Sequence, residues 1–482
     1  MTAIEAILAI PAVSALLLAL LPGYRLAARV NVLAAGMTLA ASIVPFFARP
    51  ATTPYLLIDD FNVYLVALTA FVAFTTSLFS ARYVLHEVAI GRLPAGNIRF
   101  YHAMYQAFCF TMLLALTSNN LGVLWVALEG ATLTTVLMVG LYRTHAALEA
   151  AWKYFILCGV GIALALFGTT LMYLAAEGVM GEGLPAMTWS ELRPNAAHFS
   201  PALMNLAFVF LLVGYGTKVG LAPLHAWLPD AHAEGPTPIS AVLSGLLLNV
   251  ALYAVLRFKM LLAANPLALA PGPLMIVMGL ASVLLASFML YRRRDIKRLF
   301  AYSSIEHMGI ITFAFGMGGT LANFAGLLHM TMHSLTKSAI FFAVGHVAQV
   351  KGTQKIAEIR GLTASQPLLG WALVIGVVAI AGLPPFGVFT SEFLLVTTTF
   401  GGGGSAARPV LGVLLLAGLL VGFGALIARL QGLAFGPSEG GGKASPVALA
   451  PLFAHFALVL AAGLYLPPAL VAWFQKVAEL LG

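Results

Sequence analysis

The chain has 482 residues, 61% of them hydrophobic and only 9% charged, and its mean hydropathy is +0.97. Those values exclude a soluble domain and point to a polytopic membrane protein. The formal charge of +8 does not indicate nucleic acid, because the basic residues fall in short loops between apolar segments. The two cysteines, Cys109 and Cys158, each stand alone in an apolar run and can build no disulfide framework, zinc site or iron–sulfur ligand set.

About fourteen apolar segments approach the ~20 residues that cross hydrocarbon, near 4–21, 28–48, 61–84, 101–117, 120–142, 150–176, 203–227, 237–262, 272–291, 299–316, 321–348, 368–396, 409–432 and 447–474. The expected fold is therefore all-α. No A-x-A-like cleavage site follows the first segment, which reads as retained. Residues 1–482 form one membrane domain in this reading, with three N-terminal helices and a loop over 1–100, a first repeat over 101–262, a second over 272–432, and a C-terminal helix over 447–482. The polar gaps near 177–202 and 433–446 are too short for a soluble domain, and GGGG at 401–404 and GPSEGGGK at 436–443 read as flexible connections.

Alternate loops differ sharply in basic content. One set holds Arg25, Arg29, Arg82, Arg92, Arg99, Arg143, Arg292, Arg293, Arg294, Lys297, Arg298, Lys351, Lys355, Arg360, Arg429 and Lys443; the other holds only Arg49, Arg193, Arg257, Lys259 and Arg408. The positive-inside rule makes the first set cytoplasmic and puts both termini on the outer, periplasmic face of the inner membrane. The run from Arg292 to Arg298 reads as a solvated loop facing lipid phosphates. Lys476 lies in the tail, which leaves Lys153, Lys218 and Lys337 inside predicted spans.

The most unusual stretch is KVGLAPLHAWLPDAHAEGPTP, Lys218 to Pro238. Proline cannot donate to the helical ladder, and a charged amine in lipid costs several kcal/mol, so both persist only where protein or internal water satisfies them. A cap and a re-entrant turn would account for the prolines but not for Lys218. A weak echo follows in the segment 368–396, where GLPPF precedes Glu392. Paired interrupted helices in two halves of a chain are the sequence sign of inverted-repeat transporters with midplane sites.

Glu129 stands in LGVLWVALEGATLTTVLMVG with no other charge nearby, and Lys218 is its natural partner. Such a pair works as a charge switch, releasing the ammonium proton when the carboxylate is withdrawn; the competing reading is a static ion pair that staples two helices. His329, His333 and Lys337 recur every four residues and share one helix face, where imidazoles and water relay protons. H-x-x-x-H could instead grip a metal, but no third ligand lies nearby in sequence and the HExxH glutamate is missing. No metal is therefore expected, and a structural histidine cluster is the remaining alternative. Glu306 and His307 are adjacent, point about 100° apart on a helix, and cannot both face one path. Lys153 in AAWKYF either stands in the membrane or snorkels to its boundary.

The run GYGTKVGLAPLHAWLPDAHAEGPTPISAVLSG, with WVALEG before it and DIKRLFAYSSIEHMG, HMTMHSLTKSAIFF and AGLPPFGVFTSEF after it, resembles the antiporter-like subunits shared by respiratory complex I, Mrp-type cation/proton antiporters and group 4 membrane-bound hydrogenases. The resemblance covers about residues 60–430 in order, and SIEHMG and LLLNVALY look most like the hydrogenase-4 F subunit. It implies about fourteen helices in two inverted five-helix repeats, discontinuous seventh and twelfth helices, and a hydrated axis. Its glutamate and lysine pair falls on Glu129 and Lys218, its central histidines and lysine on His329, His333 and Lys337, and its twelfth-helix Lys or Glu on Glu392. His225, in the most specific run, joins these as a candidate; Lys153, His232, Asn249, Glu306 and His307 are secondary. Asn249 stands where many relatives carry a lysine or histidine, and an amide cannot take a proton at physiological pH.

The resulting expectation is a redox-inactive, proton-translocating subunit without cofactor, driven by membrane and peripheral partners that carry the iron–sulfur, nickel–iron or quinone chemistry. Sodium/proton exchange is the near alternative, and a scaffold that has lost transport is the alternative of a different class. An enzyme in its own right is the weakest reading, since no dinucleotide fingerprint or phosphate loop is present.

Overall fold

The computed structural model describes residues 2–21, 23–94, 96–401, 407–437 and 449–482, without the side chains of residues 98 and 99. The side chain of Arg99, Lys443 and most of both glycine-rich connections lie outside the described residues. Among the described residues the regular structure is helical. The first six predicted segments coincide with α1 (Ala3–Leu20), α2 (Tyr24–Ile43), α3 (Asn62–Ala89), α4 (Asn97–Thr117), α5 (Leu121–Val139) and α6 (His145–Met180), and the polar gap after them holds the short α7 (Trp189–Asn195). The seventh is divided into α8 (Pro201–Val219) and α9 (Trp227–Glu234). The eighth runs as α10 (Thr237–Val242), a π-helical turn at Leu243–Leu247, and α11 (Leu248–Ala263). Next come α12 (Gly272–Leu290), α13 (Ile296–Met317), α14 (Thr320–Lys351) and a single turn, α15 (Leu362–Ser365). The twelfth segment is divided again, into α16 (Pro367–Ile380) and α17 (Gly387–Gly401), before α18 (Ala407–Ala434), α19 (Ala450–Leu464) and α20 (Pro468–Leu480).

The two interior breaks share a local cause. Gly220 and Gly382 adopt φ of +80° and +69°, a region glycine enters without steric cost. Pro223 follows the first, Pro384 and Pro385 the second, and none of them has an N–H for the ladder. In the first break the freed Ala222 N–H donates to Ser282 Oγ at 2.8 Å. The C-terminal segment, read above as one helix, is instead a pair bent by 84° between α19 and α20. Pro467 and Pro468 at the corner explain the difference.

Among the described residues nine helices are long and apolar enough to cross a membrane, ten if α19 and α20 count as one span. Helices α13 and α14 fall short because they carry Glu306, His307, His329, His333 and Lys337, and almost every residue of both is buried by protein. A helix screened from lipid need not be apolar. Helices α1, α6, α12 and α18 do the reverse and expose large apolar side chains such as Leu20, Trp152, Val277 and Leu420. The chain is a multi-pass membrane protein.

Two compact units result, Met1–Val219 with Leu246–Pro271 and Leu480–Gly482, and Gly220–Gly245 with Gly272–Glu479. In the first, α6 and α8 touch backbone to backbone: a methyl group at Gly214 would lie 2.6 Å from both Ala165 N and Gly161 O. That approach sets Lys218, one turn further along α8, against α5 and α6. In the second unit α14 is the central element, packed by α10, α13, α16, α17 and α19.

Four basic residues assigned above to loops belong to the protein interior or its ion pairs. Arg257 and Lys259, counted among the outer-loop charges, are 3% and 4% exposed on α11. Arg257 pairs with Asp59 Oδ2 at 2.7 Å, donates to Tyr253 Oη at 2.8 Å and lies 4.3 Å from the Trp189 ring centroid; Lys259 donates to Leu481 O at 2.7 Å. Lys297 and Arg298 leave the solvated loop as well. Lys297 is buried and donates to Ala233 O and Gly235 O at 3.0 and 2.5 Å, at the carbonyl end of α9, where a helix favours positive charge. Arg298 meets Asp230 and Glu234 at 3.1 and 3.2 Å. Arg292 and Arg294 stay exposed, as expected.

Candidate functional site

In the first unit Asn120 caps α5 by accepting from Gly122 N and Val123 N, which starts the helix that carries Glu129 and, one turn on, Thr132. Lys218 is fully buried and donates to Thr132 Oγ1. Glu129 lies one helical turn before Thr132 on α5, within electrostatic range of Lys218. Thr132 thus holds Lys218, while its own proton is donated to Leu128 O at 3.1 Å. Cys158 lies within electrostatic reach of both charges, and Tyr154 Oη is 2.7 Å from Thr135 Oγ1 on the same helix.

In the second unit α13, α14 and α17 converge. His307 Nδ1 is 2.9 Å from His329 Nε2, His329 Nδ1 is 2.9 Å from Ser391 Oγ, and Ser391 Oγ donates to Val388 O at 2.7 Å. The chain has a direction. With its proton on Val388 O, Ser391 must accept from His329 Nδ1–H; His329 Nε2 is then an acceptor, so His307 supplies the proton between the two rings. His333, one turn beyond His329, has its ring centroid 5.9 Å from that of His307, and neither of its nitrogens has a partner among the described residues. Lys337 is fully buried and donates to Phe300 O at 3.1 Å.

A cavity of about 260 Å³ adjoins this row, lined by Glu306, His307, Gly382 and Glu392, with leucines and Phe423 of α18 as its apolar wall. Glu306 and His307 thus border one space, against the expectation that adjacent residues cannot. They do diverge around α13, but the cavity follows the helix surface over that arc. Glu306 accepts from Ser287 Oγ at 2.8 Å. Gly422 and Gly382 leave room for the two carboxylates: a methyl group at either would overlap a carboxylate oxygen, of Glu306 and Glu392 respectively. One ligand atom each from His307, His329 and Glu392 lies within 4.8 Å of the others, a grouping that includes only one histidine of the H-x-x-x-H pair and leaves His333 out.

The remaining candidates stand apart from these clusters. His225, in the turn between α8 and α9, faces Tyr302 edge-on at 6.2 Å. His232 is fully buried and stacked on Phe341 at 4.9 Å, with neither ring nitrogen partnered among the described residues. Asn249 is 3% exposed, directly after the π-helical turn in which the helical ladder is locally rewound. Lys153 lies on the outside of α6, paired with Glu149 at 2.6 Å and about half exposed. The sequence reading passed over Thr132, Ser287 and Ser391, the hydroxyls that hold the titratable groups, and over Gly382 and Gly422. Its one usable signal was the hydroxyl one turn from a lone charge, as in Glu129 to Thr132.

Residues 118–420 match the family described as NADH:quinone oxidoreductase/Mrp antiporter, TM. Over 476 residues, 99% of each chain, the sequence is 58% identical to the hydrogenase-4 component F homolog of Methylacidiphilum infernorum (isolate V4). It is 31% identical over 393 residues to NADH-quinone oxidoreductase subunit N of Desulforudis audaxviator (strain MP104C), covering 78% of this chain and 74% of that one. A chain of the membrane-bound sulfane sulfur reductase, an archaeal respiratory membrane complex, aligns over 99% of this chain and 97% of its own with a TM-score of 0.87. At 23% identity that likeness is one of fold. With buried Glu, Lys and His clusters on broken and unbroken helices, and a family match across 118–420, the chain belongs to the NADH:quinone oxidoreductase/Mrp antiporter membrane-subunit family.

Proposed function

We propose that this chain is a redox-inactive, proton-translocating subunit of a hydrogenase-4-like or complex I-like assembly, in which partner subunits carry the electron-transfer chemistry. Similarity to a hydrogenase-4 component F homolog and to an NADH-quinone oxidoreductase subunit N supports the assembly. The single observation that carries proton movement is the oriented row His307–His329–Ser391 beside a cavity bordered by two carboxylates. A proton entering at His307 displaces the shared proton toward His329, and Glu392 or Glu306 exchanges it with water in the cavity. In the first unit, turning the Thr132 hydroxyl from Leu128 O toward Glu129 would give that carboxylate a donor while the oxygen still accepts from Lys218. Two arrangements that differ in charge stabilisation are what a switch requires. In this reading the chain crosses the inner membrane about fourteen times as two inverted repeats, with both termini on the outer face.

The test is proton uptake by sealed proteoliposomes holding the intact complex, followed with a pH-sensitive dye. Glu129→Gln and Lys218→Ala should each leave the complement of subunits unchanged and reduce uptake to the level of protein-free vesicles. Wild-type uptake in either assembled variant would refute the switch. Failure of both to assemble would make the pair a staple instead.

A further inference from the structure

We infer that His307, His329 and Glu392 form a binding site for a first-row divalent transition metal of the zinc type, and that the ion, when bound, closes the route these residues serve. Three observations converge. The three ligand atoms lie within 4.8 Å of one another. A tetrahedral zinc with bonds near 2.0–2.1 Å sets its ligand atoms about 3.3 Å apart. The facing imidazole nitrogens, now 2.9 Å apart, need to open by a few tenths of an ångström, and ligand atoms as far as 4.8 Å apart need to close by about 1.5 Å, within the swing of a glutamate side chain.

One ring also has the outer partner that metal-bound histidines use. His329 directs Nδ1 at Ser391 Oγ, 2.9 Å away, which leaves its Nε2 facing His307 Nδ1. If His307 carries its proton on Nε2 rather than sharing it with His329, Nδ1 of one ring and Nε2 of the other present facing lone pairs. That arrangement is repulsive unless a cation lies between them, and fixing the tautomer from outside is how ligating histidines are oriented. Finally, the adjoining cavity has room for water to complete the coordination, and Glu306 on its wall supplies a second carboxylate toward neutralising a dication. Two imidazoles select zinc, cobalt or copper over magnesium or calcium, which require oxygen.

The probe is Co2+ added to the purified complex in detergent, read by its visible ligand-field bands, with Zn2+ competition giving the affinity. The wild type should bind one ion in a tetrahedral or five-coordinate environment that Zn2+ displaces. His329→Gln and Glu392→Gln should abolish those bands. Ser391→Ala, which keeps every ligand, should weaken binding by about 10- to 100-fold. His346→Gln, on the same helix but several turns away, should bind as wild type does. No such bands in the wild type, or unchanged bands in both His329→Gln and Ser391→Ala, would overturn the site. Inhibition by Zn2+ rests on the proton-transport reading, and the two fail separately. Metal binding in the expected pattern with undiminished proton uptake upholds the site and removes these residues from the route.

Discussion

Asp59→Asn is the substitution whose effect follows most directly from the geometry. Arg257 is 3% exposed, and the Asp59 carboxylate, about a quarter exposed, is its charge partner at 2.7 Å. Deleting one member of a buried pair costs about 3–5 kcal/mol because the other charge stays buried without compensation. The partial exposure of Asp59 and the stacking of Arg257 on Trp189 place the expected loss near the lower end, about 3 kcal/mol. Asp59 Oδ1 also accepts from Phe61 N and Asn62 N at 3.0 and 2.9 Å, bracing the turn that leads into α3. Asparagine keeps those two bonds, whereas Asp59→Ala loses them too and should be worse by about 1 kcal/mol.

The same pair sets a pH dependence. Burial pushes the Asp59 carboxyl up, but the Arg257 guanidinium and the two N–H donors outweigh it and hold the group below its usual range. A carboxyl depressed in the folded state contributes stability above its unfolded value, about 3.9, and loses that contribution as pH falls through the lower folded value. In thermal unfolding of the detergent-solubilised protein, the gap between wild type and Asp59→Asn should therefore be constant from neutral pH down to about 5 and narrow in stronger acid. Identical midpoints at pH 7 would show that the buried guanidinium does not depend on this carboxylate.

Other outcomes follow from the second unit. Glu392→Gln should stop proton uptake in proteoliposomes without disturbing assembly; undiminished flux would place Glu392 outside the route. Gly382→Ala should lower uptake with Glu392 intact, because the added methyl displaces the carboxylate; wild-type rates would mean that the carboxylate's position is immaterial. Lys297→Ala removes two hydrogen bonds from the carbonyl end of α9 and should lower stability by about 2 kcal/mol in the same unfolding assay, with Lys297→Arg recovering part of it.

What the sequence disclosed depends on the distance over which each feature is decided. The breaks after Val219 and Ile380 were legible because a glycine and the following prolines decide them within a few residues. The burial of Arg257 was not, since its partner Asp59 and its stacking partner Trp189 lie on distant segments, and an arginine near a span end reads as a topology signal by default. Lys297 misled in the same way: its acceptors are carbonyls of α9, which no side-chain pattern reveals. Glu392 could be picked out as a lone carboxylate after a broken helix, but its approach to His307 and His329 required three helices to be placed together.

The hydroxyls explain the remaining omission, and they bear on mechanism. Serine and threonine inside apolar helices commonly donate back to a carbonyl one turn earlier, so a single sequence gives no reason to separate Thr132 or Ser391 from the many others that do. Both do donate back, to Leu128 O and Val388 O. The back-bond suits them to accept a hydrogen bond from a charged neighbour, and passing a proton onward requires the hydroxyl first to turn off the carbonyl. With its proton directed at the backbone, the oxygen presents its lone pairs outward, ready to accept from Lys218 in one unit and from His329 in the other. Alanine at either position would remove that acceptor while leaving the titratable groups in place. Replacing the hydroxyls therefore tests connection separately from charge: loss of proton uptake in Thr132→Ala or Ser391→Ala, with the complex intact, is expected if protons pass through these bonds, and full uptake in both would mean that they only hold the charges in position.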